Sequence, residues 1–367
     1  MNEQRITTFF PGGNTSFGFY SLFDYVISNP KRFYVIKGGP GTGKSTLLKK
    51  LANHFTDKRY FVEKFYCASD SESLDGIALP ETNTAIIDGT APHVIDPKSP
   101  GAIDEIIDLG QFGDTNKLKK YRIEITNIQK QVKELFNLTY NYFSLAEKTK
   151  YHIKQMQGLR KKRDELLDFK KYLTDNLFKE NKVSSFNPLK LNDKSNSSAR
   201  YLFASALAPQ GHINLYESLF KDTDYLVYLD DDFYPETDQL MQDILNESLD
   251  RGIKPIVFMC GLNPKQIDVI YIPHFNTACL RSNNYHPIID HYNTELINIR
   301  DKRSTPTHLN DEENISKEQF DFLINRGLTL LAQAKNIREG LEEIYIDAQD
   351  FYKVDQIEER LIDELIK

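Results

Sequence analysis

The segment KGGPGTGKST, residues 37–46, combines closely spaced glycines with a terminal Lys-Ser pair. Glycines in this pattern leave backbone N–H groups free to point inward, where they can hold a phosphate chain. We expect Lys44 to reach the β- and γ-phosphates and Ser45 to offer its hydroxyl to Mg²⁺. The predicted nucleotide-binding residues are Gly38, Gly39, Pro40, Gly41, Thr42, Gly43, Lys44, Ser45 and Thr46.

The residues on either side of this segment have the pattern that a phosphate-binding P-loop requires. Residues 33–36 read as a short buried strand, and the leucine spacing after Lys44 predicts a helix. A further apolar run, NTAIIDG, ends in Asp88. Because an acid at the end of a neighbouring strand can hold Mg²⁺ through water, Asp88 is predicted to be the Walker B aspartate. The structural alternative is a turn-forming Asp-Gly pair.

Two more acids are rivals for a role near the metal or the attacking water. The segment ASDSESLDG follows a predicted strand at residues 60–67 and reads as a loop at the same edge of the sheet. It contains Asp70 and Asp75, for which capping and turn formation are the structural alternatives. The candidate catalytic residues are therefore Lys44, Asp88 and Asp70, and the candidate metal ligands are Ser45 and Asp88.

Composition excludes several classes of protein. The chain has 367 residues, a net charge of −7 and 27% charged residues, and no apolar run approaches the length of a membrane span. Its start lacks a basic region followed by a long apolar core, so we expect a cytoplasmic protein without membrane contacts. The three cysteines have neither CxxC spacing nor a nearby histidine, which argues against a disulfide framework or a zinc site.

The chain repeats itself at an offset of 193 positions. At that offset, and without a gap, identical residues recur over about 80 positions. They include Phe10 with Phe203, Gly18 with Gly211, Cys67 with Cys260, Asp75 with Asp268, residues 83–85 with residues 276–278, and His93 with His286. Chance does not hold one register over this length, so the sequence predicts a duplicated domain.

The second copy has lost the chemistry of the first. Lys44 corresponds to Thr237, Ser45 to Asp238 and Asp88 to Arg281. An acid about 4 Å from a phosphate charge can oppose binding by up to ~4 kcal/mol at an intermediate dielectric, so the second copy should not hold a triphosphate. Asp75 and His93 persist where the nucleotide chemistry is gone, which favours a structural role for both.

Three segments resemble a family of uncharacterised bacterial tandem P-loop proteins, labelled ATPase or ATP-binding protein. They are GGPGTGKSTLLKK, SLDGIALPETNTAIIDGTAPHVIDPKSPGAIDEI and ARYLFASALAPQGHIN. The resemblance covers most of the chain outside its helical parts. It implies an ATP-binding protein with two related α/β domains. In that family the second copy often keeps its own GxxxxGKS loop, which this chain lacks, so cooperation between two sites is not carried over.

Each copy is followed by a predicted helical arm. Residues 117–182 contain 17 Lys or Arg against 8 Asp or Glu, whereas residues 311–367 contain 7 against 15. Opposite charges favour pairing of the arms, within one chain or in a homodimer. The predicted fold is α/β, with two duplicated P-loop NTPase-like domains that have parallel sheets and long coiled-coil-like arms. The first domain is residues 1–194 (core 1–113, basic arm 115–182, linker 183–198), and the second is residues 199–367 (core 199–300, acidic tail 316–367).

A basic run at residues 160–165 of the first arm has two interpretations. The run can be a solvated helix face without a specific function, or it can be a contact for nucleic acid. A basic run alone supports nucleic-acid binding weakly, because aromatic or base-reading partners are not evident.

Three reactions or roles fit ATP and Mg²⁺ at the first loop. Gly89, not glutamate, follows Asp88, which argues against fast hydrolysis and favours a slow or partner-stimulated ATPase that drives a conformational switch. DGTAPH is similar to a turn of nucleotide kinases, but a small-molecule or nucleotide kinase would need to borrow an arginine such as Arg160 or Arg163. The third hypothesis is an adaptor that senses ATP without hydrolysing it.

Overall fold

The computed structural model describes residues 5–158, 166–179, 199–231, 233–298 and 307–366. Arg160, Arg163 and the predicted linker lie outside these residues. The first unit contains β1 (Ile6–Phe9), β2 (Gly12–Thr15), β3 (Gly18–Ser21), β4 (Arg32–Lys37), α1 (Lys44–Asp57), β5 (Val62–Cys67), β6 (Asp70–Leu79), β7 (Thr84–Asp88), β8 (Asp104–Asp108), α2 (Thr115–Lys120), α3 (Arg122–Gly158) and α4 (Leu166–Leu177).

The second unit repeats the order of the eight strands, with a helix again following the fourth strand. It contains β9 (Arg200–Leu202), β10 (Ser205–Ala208), β11 (Gly211–Asn214), α5 (Tyr216–Phe220), β12 (Tyr225–Asp230), α6 (Pro235–Asp250), β13 (Ile256–Met259), β14 (Ile267–Ile272), β15 (Thr277–Ser282), β16 (Thr294–Asn298), α7 (Asn310–Ala348) and α8 (Phe351–Ile366). Of the helices in the described residues, none is long and apolar enough to cross a membrane.

The two six-stranded sheets have the same strand order. The first runs β1-β5-β6-β7-β4-β8, and the second runs β9-β13-β14-β15-β12-β16. Five of the six pairs of equivalent strands keep the offset of 193. In the last pair, Asp104 of β8 lies beside Phe33, and Thr294 of β16 lies beside the equivalent Leu226, an offset of 190. The predicted duplication is thus confirmed as two similar sheet-helix units. The hairpin β2–β3 likewise returns as β10–β11.

The prediction of parallel sheets is correct in part, because each sheet is mostly parallel but contains one antiparallel strand among the described residues. β6 runs antiparallel to both β5 and β7, and β14 does the same in the second unit. The segment expected to be a loop at Asp70 and Asp75 is therefore the start of β6. Its polar beginning, Ser71 to Ser73, resembles a turn, but from Leu74 to Leu79 the strand is buried on both faces, which is typical of a central strand.

The two sheets pack face to face, and helices cover their outer faces. Alternate residues of β7 illustrate the division, since Ala85 and Ile87 face the second sheet while Ile86 faces α1 and α8. Phe9 of β1 and Phe258 of β13 meet between the sheets with their ring centroids 6.1 Å apart. The result is four layers, in the order helix, sheet, sheet, helix, with a core shared by both units.

A pseudo-twofold axis passes near Phe10 and Phe203, which are equivalent residues of the two copies. Each donates its backbone N–H to the carbonyl of the other, at 3.0 Å in both directions. Close by, Arg200 forms a buried bidentate pair with Glu63, with N–O distances of 2.9 and 2.8 Å. The chain is thus arranged like a symmetric dimer whose two subunits are fused.

The long helices α3 and α7 lie antiparallel along each other. Near one end Gln157 of α3 donates a hydrogen bond to Glu313 of α7. Near the other end Lys117 of α2, just before α3, pairs with Asp347 of α7. The pairing of the arms is therefore within one chain. The buried residues of α3 recur at spacings of three or four, so the helix packs one face. From Thr139 onward the buried residues include Phe143, Ala146, Lys150 and Ile153, whereas Leu145 is exposed.

Each arm crosses over to the other unit. α4, from the first arm, packs its Leu173 and Leu177 against α6 of the second unit. α8, from the second arm, packs Leu361 and Leu365 against the first unit, where Lys50 of α1 pairs with Asp355 at 2.7 Å. The core of each unit is therefore covered by a helix from the arm that follows the other core in sequence. The glycine loop of the first unit and the equivalent segment of the second each lie under the other unit's arm.

Candidate functional site

The glycine loop joins β4 to α1 at the carboxyl edge of the first sheet. Its φ angles are 153° at Gly38, 73° at Gly41 and 91° at Gly43, all in the positive range that glycine tolerates. Gly43 is also the N-cap of α1. The helix N-terminus, with its free N–H groups and partial positive charge, therefore opens at the loop.

Lys44 is folded back onto the loop. Its Nζ donates to the carbonyl oxygens of Gly38 and Gly39, both at 2.8 Å, and lies 3.7 Å from Asp88 Oδ2. Burial lowers the pKa of Lys44, and the attraction of Asp88 offsets only part of that effect. An anion bound in the loop would supply the negative charge that this buried ammonium favours.

Asp88 ends β7, next to β4 in the parallel part of the sheet. Its Oδ1 accepts hydrogen bonds from the backbone N–H and the hydroxyl of Thr90, and its Oδ2 faces Lys44. Asp88 thus makes the contacts of the turn that was its structural alternative, and the same carboxylate lies next to Lys44. A Cβ built on Gly89 would lie 2.3 Å from Val35 Cγ1, so the backbone leaves no room there for a glutamate side chain.

The other predicted loop residues differ in their hydrogen bonds and in their burial. Ser45 Oγ accepts a hydrogen bond from the Leu74 N–H at 3.0 Å, and Thr42 Oγ1 donates to the Gly39 carbonyl at 2.8 Å. Pro40 is half-buried at the loop, and Thr46 is exposed on the first turn of α1. Leu74 N–H thus ties the serine to β6, the strand that sequence analysis missed.

Asp75, Asp88 and His93 form a buried cluster beside Lys44. One ligand atom of each lies within 4.8 Å of the others, and neither ring nitrogen of His93 has a hydrogen-bond partner. Burial raises the pKa of Asp75, against the opposing effect of His93. His93 stacks on Phe23 with a centroid separation of 4.8 Å, which fixes the ring in place.

Asp70 lies at the rim of this site. Its Oδ1 pairs with Lys335 of α7 at 2.9 Å, and its Oδ2 accepts a hydrogen bond from Ser73 at 2.5 Å. Burial would raise the pKa of Asp70, but hydrogen bonds from Ser73 and Lys335 outweigh it and hold the pKa below its ordinary value.

The helix α7 lies directly on the glycine loop, a contact that the sequence does not predict. A Cβ built on Gly39 would lie 2.5 Å from Tyr345 Cε1, and one built on Gly41 would lie 2.6 Å from the Glu342 carbonyl oxygen. Two glycines of the loop are therefore also required by the close approach of this helix. Some 300 residues separate the partners in sequence, so no local pattern could reveal the contact.

In the second unit, cationic side chains of the protein pair with the acids that lie where the first unit has its glycine loop. Arg281, which replaces Asp88, donates from Nη1 to Asp231 at 2.6 Å and from Nη2 to Asp238, and its Nε lies 3.9 Å from Asp268. Lys154 of α3 adds a contact of 2.6 Å to Asp238. The loop is also shorter, because α6 already begins at Pro235, two positions before the equivalent of Lys44.

Comparison with protein-family models, with curated proteins and with solved structures gives no significant match. Any function therefore has to follow from the geometry of the chain itself.

Proposed function

We propose that the first unit binds Mg-ATP at its glycine loop and hydrolyses it slowly or on stimulation by a partner, while the second unit binds no nucleotide. The observation that carries this proposal is the combination of three positive-φ glycines at a helix N-terminus with Lys44 3.7 Å from Asp88. Backbone amides and an ammonium bind polyphosphates well. The proposal agrees with the resemblance to tandem P-loop proteins.

The residues around Lys44 also fit a divalent cation. Magnesium prefers oxygen ligands and usually retains several waters, and Ser45 and Asp88 supply a hydroxyl and a carboxylate beside the loop. Buried Asp75 adds a second negative charge within reach of Asp88. When bound, Mg²⁺ would neutralise charge on the β- and γ-phosphates. In the second unit the Arg281 guanidinium, facing Asp238 and Asp268, occupies the corresponding position with a fixed positive charge.

The hydrolysis itself requires little covalent help from the protein. The oxygen of a water molecule bonds to the γ-phosphorus, the bond from that phosphorus to the β–γ bridging oxygen breaks, and ADP, phosphate and one proton leave. Lys44 and the loop amides stabilise the charge on the phosphate oxygens. Because Gly89 leaves no space for a glutamate after Asp88, water activation is weak and turnover is slow.

The position of α7 supports a conformational switch. Tyr345 and Glu342 contact the loop that the phosphates would enter, so nucleotide and helix compete for space or move together. ATP binding would then be transmitted along α7 to its partner α3 and to the second unit. The second unit serves as the scaffold against which this movement occurs.

The test measures ATP binding and phosphate release by the wild type, by Lys44→Ala and by the matched variant Thr237→Ala. We expect Lys44→Ala to abolish binding or turnover and Thr237→Ala to change neither. Equal losses in the two variants would contradict the proposal. Phosphate transfer to an added acceptor would support a kinase instead, and tight binding without phosphate release would indicate an ATP-sensing adaptor.

A further inference from the structure

One face of α7 points at the nucleotide site of the first unit. Lys335, Arg338, Glu342 and Tyr345 follow one another at spacings of three, four and three, which places them on the same side of a helix. Lys335 is anchored to Asp70 at 2.9 Å, and Tyr345 and the Glu342 carbonyl lie against the glycine loop. Arg338 is held between these two anchors.

The charge of Arg338 acts on the site residues. Its guanidinium interacts electrostatically with Lys44, Asp75 and Cys67. Its ion-pair partner is Glu342, one turn away on the same helix, at 3.2 Å, and the side chain is 37% exposed. An arginine whose ion-pair partner among the described residues is a half-exposed neighbour can turn toward a stronger anion without breaking the fold.

The second unit has the same arrangement with a different cation. On α3, Glu147 contacts Asn263, the equivalent of Asp70, and Lys154 contacts Asp238, the equivalent of Ser45. Lys150 lies between them, as Arg338 does between its anchors. Its Nζ enters the cleft, where it donates to Gln266 at 2.7 Å and lies 3.9 Å from Cys260 Sγ. A cation from the crossing arm therefore reaches the equivalent cleft in the sibling unit.

We propose that Arg338 is a catalytic residue of the first unit's site, supplied across the pseudo-twofold axis by the second arm, and that it contacts the γ-phosphate of ATP. This inference rests on the proposed ATP hydrolysis. A guanidinium presents several N–H donors in a fixed fork that fits phosphate oxygens. By leaving Glu342 for the γ-phosphate, Arg338 stabilises the negative charge on the transferring group as the bond to the β–γ bridging oxygen breaks.

A site built from both units gives a reason for keeping the second unit, although that unit lacks Lys44 and Asp88. The first unit has the loop, Lys44 and Asp88, but the arginine comes from a helix that follows the second unit in sequence. Loss of the second unit would remove Arg338 from the site even though that unit binds no nucleotide.

The test compares Arg338→Ala and Arg338→Lys with Arg326→Ala, an exposed arginine 12 residues earlier on α7, about 18 Å along the helix axis. We expect kcat for ATP to fall about 100-fold in Arg338→Ala while the Kd for ATP changes less than about threefold, the pattern of an interaction made in the transition state. Arg338→Lys should recover only part of the loss, and added guanidinium should partly rescue Arg338→Ala. Trapping of ADP with aluminium fluoride should be lost in Arg338→Ala and normal in Arg326→Ala.

The other possible outcomes overturn either the inference about Arg338 alone or the proposed function as well. Hydrolysis and trapping in Arg338→Ala that match Arg326→Ala overturn the inference alone. A parallel loss of ATP binding and thermal stability in both Arg338 variants also overturns it, since the residue would then hold the loop in shape. Wild-type protein that binds ATP but neither hydrolyses it nor traps ADP with aluminium fluoride overturns the inference and leaves ATP binding intact. Wild-type protein that does not bind ATP overturns the proposed function as well.

Discussion

The two clefts of this molecule share a backbone plan and have opposite charge arrangements. In the first, the cation Lys44 is on the loop and helix side and the anion Asp88 ends the neighbouring strand. In the second, anions Asp231 and Asp238 are on the loop side and the cation Arg281 is on the strand. An exchange of sign keeps each buried cluster paired. In our proposal, only the first arrangement accepts an external polyanion.

The comparison also separates chemistry from architecture. Asp75 and His93 recur as Asp268 and His286, with N–O distances of 3.9 Å in the first unit and 3.1 Å in the second. The pair recurs in both units although the residues of the neighbouring loop differ, which agrees with the structural role predicted for Asp75 and His93. What differs is its neighbour, which is a carboxylate in one unit and a guanidinium in the other.

The largest expected effect comes from removing the fixed cation of the second cleft. Arg281→Met removes the guanidinium that pairs with buried Asp231 and lies near Asp268, which keeps His286. We expect a loss of about 3–5 kcal/mol in the free energy of unfolding. The matched change Asp88→Asn should cost about 1 kcal/mol or less, because Lys44 keeps two carbonyl acceptors. Urea unfolding of both variants measures this difference.

Equal destabilisation by Arg281→Met and Asp88→Asn would contradict this difference between the clefts. Because the two sheets share one core, both variants should unfold in a single transition, so their midpoints can be compared directly. Nucleotide must be absent, since bound ATP would stabilise the native state by mass action.

The next effect concerns the two Asp–His pairs and pH. Burial acts against Asp268, but His286 and Arg281 lower its pKa to about 2. This stability is present above the ordinary value near 3.8 and is lost as the pH falls toward 2. Asp75 has a raised pKa, chiefly through burial, so its ionised form costs stability as the pH rises above 3.8.

Substitution should therefore have opposite signs in the two units. Asp268→Asn should lower the free energy of unfolding at pH 7 by about 2 kcal/mol, and Asp75→Asn should raise it. Unfolding measured from pH 2 to pH 7 should show a weaker acid dependence in Asp268→Asn than in the wild type. Destabilisation of similar size by both substitutions at pH 7 would show that the pairs are electrostatically equivalent.

Much of the fold could be predicted because its information is local or repeated. The glycine pattern and the flanking apolar runs predicted β4, the loop and α1, and the offset of 193 residues predicted two similar units. The strand β6 was missed because its polar start at Ser71 to Ser73 looks like a turn, and only pairing with β5 and β7 makes it a central strand.

The composition of the site could be predicted only in part. Lys44 and Asp88 meet because adjacent parallel strands bring their carboxyl ends together, which is a general rule of such sheets. Arg338 and Tyr345 reach the site through the crossing of two long helices, and their own sequence is an ordinary charged helix. The close approach to Gly39 and Gly41 depends on the packing of the whole molecule, which no short pattern encodes.

The smallest effect tests whether α7 opposes the nucleotide in the resting state. Glu342 carries a carboxylate whose charge acts on Lys44 and which pairs with Arg338 at 3.2 Å. Glu342→Gln removes a negative charge near the phosphates and releases Arg338, so the Kd for ATP should fall about threefold, equivalent to about 0.6 kcal/mol. Glu343→Gln, its exposed neighbour, has the same change in net charge and should leave the Kd unchanged.

Equal gains in both variants would mean that ATP responds to the overall charge of the arm. Weaker binding in Glu342→Gln would mean that the carboxylate helps to hold the nucleotide, and the second arm would then be part of the binding site before any movement of α7.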